Sequence, residues 1–512
     1  MEQKNGKFLK TAALMVVITL SAKALGMLRD ILLAAHYGTS AEAIAYDTAS
    51  RLPILIFDFV IGGVVTTSFI PVFNEVMVKK GKKDALEYAN QYICSVLALT
   101  ILICALGLVF AEPLVSLLAP GINADIASLA VSLTRIMFPM IIFTGLAFAF
   151  VGILQSFGKF LLPATISLVS NLIMVAYFVF LDGRFGIYGL AFAMLCGWGA
   201  QALIQLPSVA RTGLRFRPTL SFRSPYLKKS LSMALPILIS SWVQPLCNLI
   251  NTRFASSIEG GRAISAIGYA NRLYIIIVGV FTFVATNLLF PYFSKTQASG
   301  NSDENKKMTK TSVLSLLLII LPITAGIFVL SKPLISLIYM RNEFGAEDVR
   351  MTAQALRYFA LGMPFYTVNE IYTKKFFAEQ KTVPPMITAL VSIVFDLALV
   401  AVLAPKLEIV GIAISSSAAV LLNTVLNGII RRKKGDGVFG AHEVSEVLKM
   451  LASSLLMGGA VFWLDSVLSD GFLSFVICVS AGVIIYFLSA FVMREKLVCD
   501  FARGLLHRRK AA

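Results

Sequence analysis

The sequence predicts an all-α polytopic membrane protein of about fourteen transmembrane helices, and three observations predict it. The 512 residues are 57% hydrophobic and 14% charged, with a mean hydropathy of +0.81, outside the range of soluble domains. Apolar runs of about 20 residues, enough to cross a hydrocarbon core of roughly 30 Å, succeed one another along the whole chain. Loops rich in Lys and Arg alternate with loops nearly free of them, the pattern that orients membrane helices.

In order, the spans are expected at 8–33, 44–75, 86–111, 128–155, 161–181, 187–207, 230–256, 264–293, 311–330, 350–378, 384–404, 409–430, 445–466 and 473–493. The first follows Lys4, Lys7 and Lys10, but it is too long and lacks the small-residue cleavage site of a removed signal peptide, so it is expected to stay. Bases follow the even-numbered spans: Lys79, Lys80, Lys82 and Lys83, then Lys159, then a run from Arg211 to Lys229, then Lys295 to Lys310, then Lys374, Lys375 and Lys381, then "RRKK" at 431–434. Loops such as "AHYGTSAEA" and "AEPLVSLLAPGINAD" lack them, the exception being Arg341 and Arg350 beside Glu343, Glu347 and Asp348. Both termini are therefore expected on the cytoplasmic side.

The net charge of +17 resides in these loops, which argues against nucleic acid as a partner. Cys94, Cys104, Cys196, Cys247, Cys478 and Cys499 are scattered, with no C-x-x-C pair and no neighbouring histidine, so neither a zinc site nor a disulfide framework is implied.

The chain also repeats itself. "ASRLPILIF…SFIPVF" at 49–73 matches "ANRLYIIIV…LLFPYF" at 270–293, aligning Arg51 with Arg272 and Pro71 with Pro291. "EPLVSLL" at 112–118 matches "KPLISLI" at 332–338, and "KFLLP" at 159–163 matches "KTVPP" at 381–385. A duplicated unit of six spans keeps both copies in one orientation, related by a pseudo-twofold axis along the membrane normal. The expected organisation is an N-terminal lobe at 1–210, a C-terminal lobe at 211–435, and two additional helices with a basic cytoplasmic tail at 436–512, with a substrate site between the lobes.

Charges at membrane depth cost about 2.5 kcal/mol or more and normally face a protein interior or a wet cavity. The set comprises Lys23, Arg29 and Asp30 on span one, Asp47, Arg51 and Asp58 on span two, Arg135, Arg253, Arg272, Arg357 and Asp396. Lys23 and Asp30 share a helix face while Arg29 points about 100° away, so Asp30 is expected to pair with a neighbour other than Arg29. Snorkelling accounts for Arg253. For Lys23, Arg51 and Arg272 the competing role is a structural ion pair with Asp47, Asp58 or a helix end. The excess of bases favours an anionic substrate, since guanidinium forks suit phosphate oxygens. Enzyme chemistry finds little support: His36, His442 and His507 are the only histidines, and no H-E-x-x-H, P-loop or G-x-S-x-G is present.

"ALGMLRD", "APG" at 119–121, "RIMFP" at 135–139, "GILQSFGKFLLP" at 152–163, "INTRFAS" at 250–256, "YANRL" at 269–273, "FPYFSK…ASGN" at 290–301 and "FFAEQKTVPP" at 376–385 resemble the MurJ (MviN) lipid II flippases. The resemblance implies the fold of the multidrug/oligosaccharidyl-lipid/polysaccharide exporter superfamily, with two further helices forming a groove for a lipid tail. It implies a bacterial cytoplasmic (inner) membrane flippase that carries undecaprenyl-pyrophosphate-linked peptidoglycan precursor outward by alternating access for cell wall synthesis. Its partners would be the lipid-linked anionic glycan and membrane lipids, with cell wall synthesis enzymes nearby, and the chain would act as a monomer.

Carried over position by position, Lys23 stands at a family arginine, Arg29 matches one, and Arg272 matches the one on span eight. With Arg51 these make the expected pyrophosphate site. After "RLP" this chain reads "ILIFDFVIGGVV", placing Phe57 and Asp58 where the family carries bases, and the family's early acid aligns with Ile44, with Asp47 a turn later. These departures leave open a flippase for another polyprenyl-linked oligosaccharide, and the strongly basic cytoplasmic surface leaves open a non-transporting scaffold for wall synthesis. A cation-coupled drug exporter would need an acidic cavity, and the buried charges here have the opposite sign.

No cofactor is expected. Without a nucleotide motif, energy must come from a Na⁺ or H⁺ gradient or from the membrane potential. Asp396, mid-span in "VSIVFDLALV", is the expected coupling group, with Asn423, Thr424 and Asn369 offering oxygen ligands; a structural pair with Arg357 is the competing reading.

Overall fold

A computed structural model describes residues 2–60, 68–219, 224–284, 289, 293, 302–379, 381–433, 435, 437–469 and 471–500, and among them every regular element is a helix. Helix is what lipid demands, because it satisfies each backbone N–H and C=O within its own segment. The helices are α1 (Glu2–Tyr37), α2 (Ala41–Val60), α3 (Ile70–Lys80), α4 (Lys82–Val109), α5 (Ala111–Leu118), α6 (Ala124–Met137), α7 (Met140–Ser156), α8 (Leu161–Phe180), α9 (Asp182–Leu203) and α10 (Leu206–Ala210). They continue as α11 (Pro225–Ser241), α12 (Val243–Ala255), α13 (Arg262–Val284), α14 (Ser302–Tyr339), α15 (Ala346–Ala360), α16 (Met363–Ala378), α17 (Val383–Lys433), α18 (Ala441–Val467) and α19 (Phe472–Val492), with one turn of 3₁₀ helix at Glu259–Gly261. The "FPYFSK…ASGN" motif apart from Phe293, the "GG" of "ILIFDFVIGGVV" and the end of the basic tail lie outside the described residues.

Among the described residues nine helical stretches are long and apolar enough to cross a membrane. Several expected spans are interrupted. Span four divides at Pro139, which caps α7, and span seven divides at Trp242 between α11 and α12. Spans eleven and twelve join through one sharp reversal at Glu408, where φ is 50°. The reversal is a hairpin: a Cβ on Gly411 would lie 2.5 Å from Leu403 O, although eight residues of straight helix span about 12 Å.

Two compact units result, Met1–Ser265 and Ala266–Ala512. In the first, α1 packs on α8, α8 on α9, α2 on α6 and α4 on α7. Its core is aromatic, with Phe69 against Tyr92 at 4.6 Å and stacked on Tyr88 at 5.5 Å. Lipid removes the hydrophobic force between helices, so close packing and small residues must hold them. Gly107 illustrates this, since a Cβ there would come within 1.8 Å of the Phe138 ring. In the second unit α14 packs on α15 and α18, α18 on α19 and α16 on α17. Tyr486 of α19 donates to Leu318 O of α14 at 2.8 Å, and Gly482 gives α19 close access to Val461.

Candidate functional site

Arg29 is held by two neighbouring side chains. Its Nε and Nη2 donate to Asp30 Oδ1 at 3.0 and 2.8 Å, and Nη1 donates to Asn171 Oδ1 at 3.0 Å. This corrects the expected separation of Arg29 from Asp30. Their Cβ atoms do diverge by about 100°, but the arginine stem is long enough to bring its fork back over the buried carboxylate. Asn171 also donates to Ala22 O at 3.2 Å, and Gly26 leaves room for it: a Cβ there would be 3.3 Å from Asn171 Nδ2. Three of the five guanidinium N–H donors are thus engaged and two remain, on a side chain 30% exposed. Lys23, two turns before Asp30 on the same stripe, is exposed.

Arg51 has a different setting. Its Nη1 donates to Thr252 Oγ1 at 2.6 Å and Nη2 to Ile264 O at 3.1 Å. The same stretch of chain is tied down three more times. Arg253 Nη1 donates to Leu117 O at 2.6 Å, Gly121 N to Ser256 Oγ at 3.1 Å, and Arg262 Nε to Thr39 Oγ1 at 3.0 Å. Arg253 therefore satisfies a carbonyl that the end of α5 leaves open. Gly121 permits the approach, because a Cβ there would be 2.6 Å from Ser257 Cα. Asp47 is buried among these helices and Asp58 is half-buried.

In the second unit Arg272 lies over the Tyr269 ring at 5.2 Å, and Tyr269 is packed by Tyr339 and Phe344. Asp396 is fully buried on α17. Arg357 donates to Ser331 Oγ at 3.2 Å and lies over Phe328. The expected oxygen ligands converge elsewhere. Asn427 donates to Asn369 Oδ1 at 2.8 Å and Asn423 Oδ1 at 3.2 Å, and accepts from Thr388 at 2.9 Å. Thr424 donates to Phe365 O and Val420 O. Thr388 precedes Asp396 by eight residues, about 12 Å along a helix, so the amide cluster and the carboxylate mark two levels of α17. Between α16 and α17, Glu379 pairs with Arg431, which lies 3.9 Å over Phe376, and with Lys381 at 3.3 Å. Burial raises the Glu379 carboxyl, but the two cations outweigh it and hold the group below its ordinary range.

Sequence reasoning missed Asn171, Asn427 and the cluster at the end of α1, where Asp182 contacts His36 Nδ1 and accepts from Tyr37 OH, both at 2.6 Å. Asn171 and Asn427 are amides inside apolar spans, the same signal that marked Asn369 and Asn423, and extending it to every span would have found them.

The helical architecture, with its long apolar stretches, defines a multi-pass membrane protein. A solved structure of the lipid II flippase MurJ in an inward closed conformation matches with a TM-score of 0.82 at 21% identity, covering 95% of this chain and 100% of that one. An inward-facing multidrug resistance MATE family transporter of the MOP superfamily matches with a TM-score of 0.68 at 15% identity, over 83% of this chain and 98% of that one. Both matches show the fold. The family model described as lipid II flippase MurJ matches residues 33–499. The probable lipid II flippase MurJ of Rickettsia prowazekii is 30% identical over 419 residues, 81% of this chain and 82% of the relative. That of Rhizobium meliloti is 27% identical over 495 residues, 92% of this chain and 91% of the relative. The chain belongs to the lipid II flippase MurJ family.

Proposed function

We propose that this chain moves lipid II, the undecaprenyl-pyrophosphate-linked peptidoglycan precursor, from the inner to the outer leaflet of the bacterial cytoplasmic membrane by alternating access. Beside the family relation, one observation carries the reading: a guanidinium on α1 is fixed by Asp30 and Asn171 with two N–H donors left over. A pyrophosphate crossing a region of low dielectric needs a countercharge that is already oriented, and a fork suits two phosphate oxygens. Asp30 serves both ends, orienting the fork while partly neutralising it, so that the anion can leave again. Lys23 and Arg272 add positive field, and Arg51 works chiefly as a tie.

With both termini cytoplasmic, the end of the first unit that holds residues 37–44, 117–121 and 252–264 faces outward. Its hydrogen bonds, from Arg51, Arg253, Gly121 and Arg262, are then the contacts that must break for the substrate to leave. Those donated by arginine contribute about 1.5–3 kcal/mol each and the neutral Gly121 bond about 0.5–1.5 kcal/mol, and water replaces much of that as they open. Energy enters through a cation gradient acting at Asp396, or through the membrane potential, worth about 2.3 kcal/mol per charge per 100 mV.

The test is reconstitution of the full chain into liposomes with fluorescent lipid II. Protein-dependent loss of inner-leaflet label supports the reading. Transport of another polyprenyl-pyrophosphate oligosaccharide in place of lipid II would reassign the substrate, and transport of neither would leave a scaffold.

A further inference from the structure

The lysine-rich end of the first unit has a feature that transport does not use. There the turn between α3 and α4, the turn before α8, the segment after α10 and the start of α11 meet. Lys82 Nζ lies over the Phe157 ring at 5.7 Å and 3.7 Å from where a Cβ on Gly213 would stand. Lys159 Nζ reaches Ser208 Oγ at 3.4 Å, and Lys80 Nζ lies over Tyr226 at 5.3 Å.

Across this end runs the irregular segment 214–219, which is held rather than loose. The Asn90 side chain acts as a peptide would. Its Oδ1 accepts from Arg217 N at 2.9 Å, while its Nδ2 donates to Arg217 O and to Thr219 Oγ1. Cys94 Sγ donates to the same Arg217 carbonyl at 3.4 Å. Leu214 packs inward on the core. With its main chain clamped on one side, the segment presents Arg215, Phe216 and Arg217 outward, all three exposed, and Phe216 keeps 58% of its surface open. No carboxylate among the described residues forms an ion pair with Arg215 or Arg217. The same end adjoins exposed apolar side chains of α9 and α10, Leu203 at 67% and Leu206 at 50%, which a membrane-spanning unit turns toward lipid.

An aromatic ring between two free guanidinium groups, clamped in place and continuous with a lipid-facing rim, matches a surface that is anionic outside and apolar just beneath. We propose that residues 211–217 form an interfacial anchor. It seats Phe216 at the boundary between headgroups and acyl chains and sets Arg215 and Arg217 on the phosphates of anionic phospholipid. Arg is suited to that position because its fork binds phosphate while its stem lies along apolar surface. The anchor holds the end of α4, through Asn90, at a fixed depth.

The test uses the intact chain in nanodiscs of phosphatidylcholine alone or with a third of phosphatidylglycerol. Phe216→Trp places a reporter at the tip, read as the difference from the parent. Its emission should shift to the blue and be quenched by lipids brominated near the headgroup, more strongly with phosphatidylglycerol, and Arg215→Gln with Arg217→Gln should remove that extra quenching. Emission typical of water in both compositions, still quenched by iodide, overturns the anchor. Equal burial in both compositions overturns the anionic lipid as its partner. A second measurement needs no variant. Trypsin cleavage after Arg215, relative to cleavage after exposed Lys381, should slow at least roughly fivefold with phosphatidylglycerol, the weight of one base at the headgroup surface. Unchanged relative cleavage contradicts the proposal, as does an Asn90→Ala variant as protected as the parent.

Discussion

Asn171 Oδ1 accepts a hydrogen bond from Arg29 Nη1 at 3.0 Å, so a neutral amide on α8 orients the cation that the sequence marks out on α1. The same amide holds Ala22 O, which makes Arg29 part of the α1–α8 contact rather than a side chain free to swing.

Arg29→Ala and Arg272→Ala should each abolish growth in a strain that depends on this chain, with the protein still in the membrane at parental levels. Asn171→Ala should be milder. It leaves the charge and removes one charge-assisted hydrogen bond, so flipping of fluorescent lipid II should slow about tenfold, the equivalent of about 1.4 kcal/mol. Normal growth with both arginines replaced would rule out the pyrophosphate site.

Gly121→Ala tests the ties at the 117–121 end, where a new Cβ would sit 2.6 Å from Ser257 Cα, a main-chain atom that cannot turn aside. The variant should unfold at a temperature several degrees below the parent, consistent with a loss of about 1–3 kcal/mol from overpacking. Arg51→Ala should weaken the same end and expose it. A cysteine introduced at Ala255, otherwise buried, should label faster with a membrane-impermeant maleimide when Arg51 is alanine. Equal labelling rates would argue against Arg51 as a tie.

Glu379 gives the α16–α17 contact a pH dependence of definite sign. Its carboxyl is held below the ordinary 4.5 by Arg431 and Lys381 against the opposing effect of burial. The stabilisation is therefore complete above about pH 4.5 and is lost as pH falls through the lowered value. Protonation would leave Arg431, 1% exposed, beside a neutral partner. Removing one member of a buried pair typically costs about 3–5 kcal/mol, so Glu379→Gln should lower the melting temperature at neutral pH and flatten its fall on acidification. A parent and variant with parallel pH profiles would exclude this role.

Asp396→Asn should uncouple flipping from its gradient while leaving lipid II binding intact. Flipping measured in vesicles with a Na⁺ gradient, a pH gradient or a potential imposed separately is the decisive readout. A variant that responds like the parent to all three removes Asp396 from the mechanism.

Much of this was legible in the chain. The apolar runs rest on periodicity and composition, which lipid enforces segment by segment, while the family resemblance rests on particular residue strings such as "YANRL" and "GILQSFGKFLLP". The candidate site was legible only in part: Arg29, Arg51 and Arg272 stand out as cations in apolar sequence, but nothing local distinguishes a guanidinium fixed by Asp30 and Asn171 from one joined to Thr252 and Ile264. The Arg29–Asp30 pair was misread because face geometry follows Cβ directions, and a five-donor fork on a long stem does not.

The sequence by itself determined that the chain spans a membrane as helices, because the cost of bare backbone and buried charge in hydrocarbon admits few patterns, and its particular motifs carried the family resemblance. Only the tertiary structure decided which polar groups meet. Asn171 reaches Arg29 across 142 positions of chain, and Asn427 gathers Asn369 and Thr388 from other helical segments. Hydrogen bonds act over about 3 Å, so whether two such groups touch depends on how the helices pack, and that is a property of the folded chain.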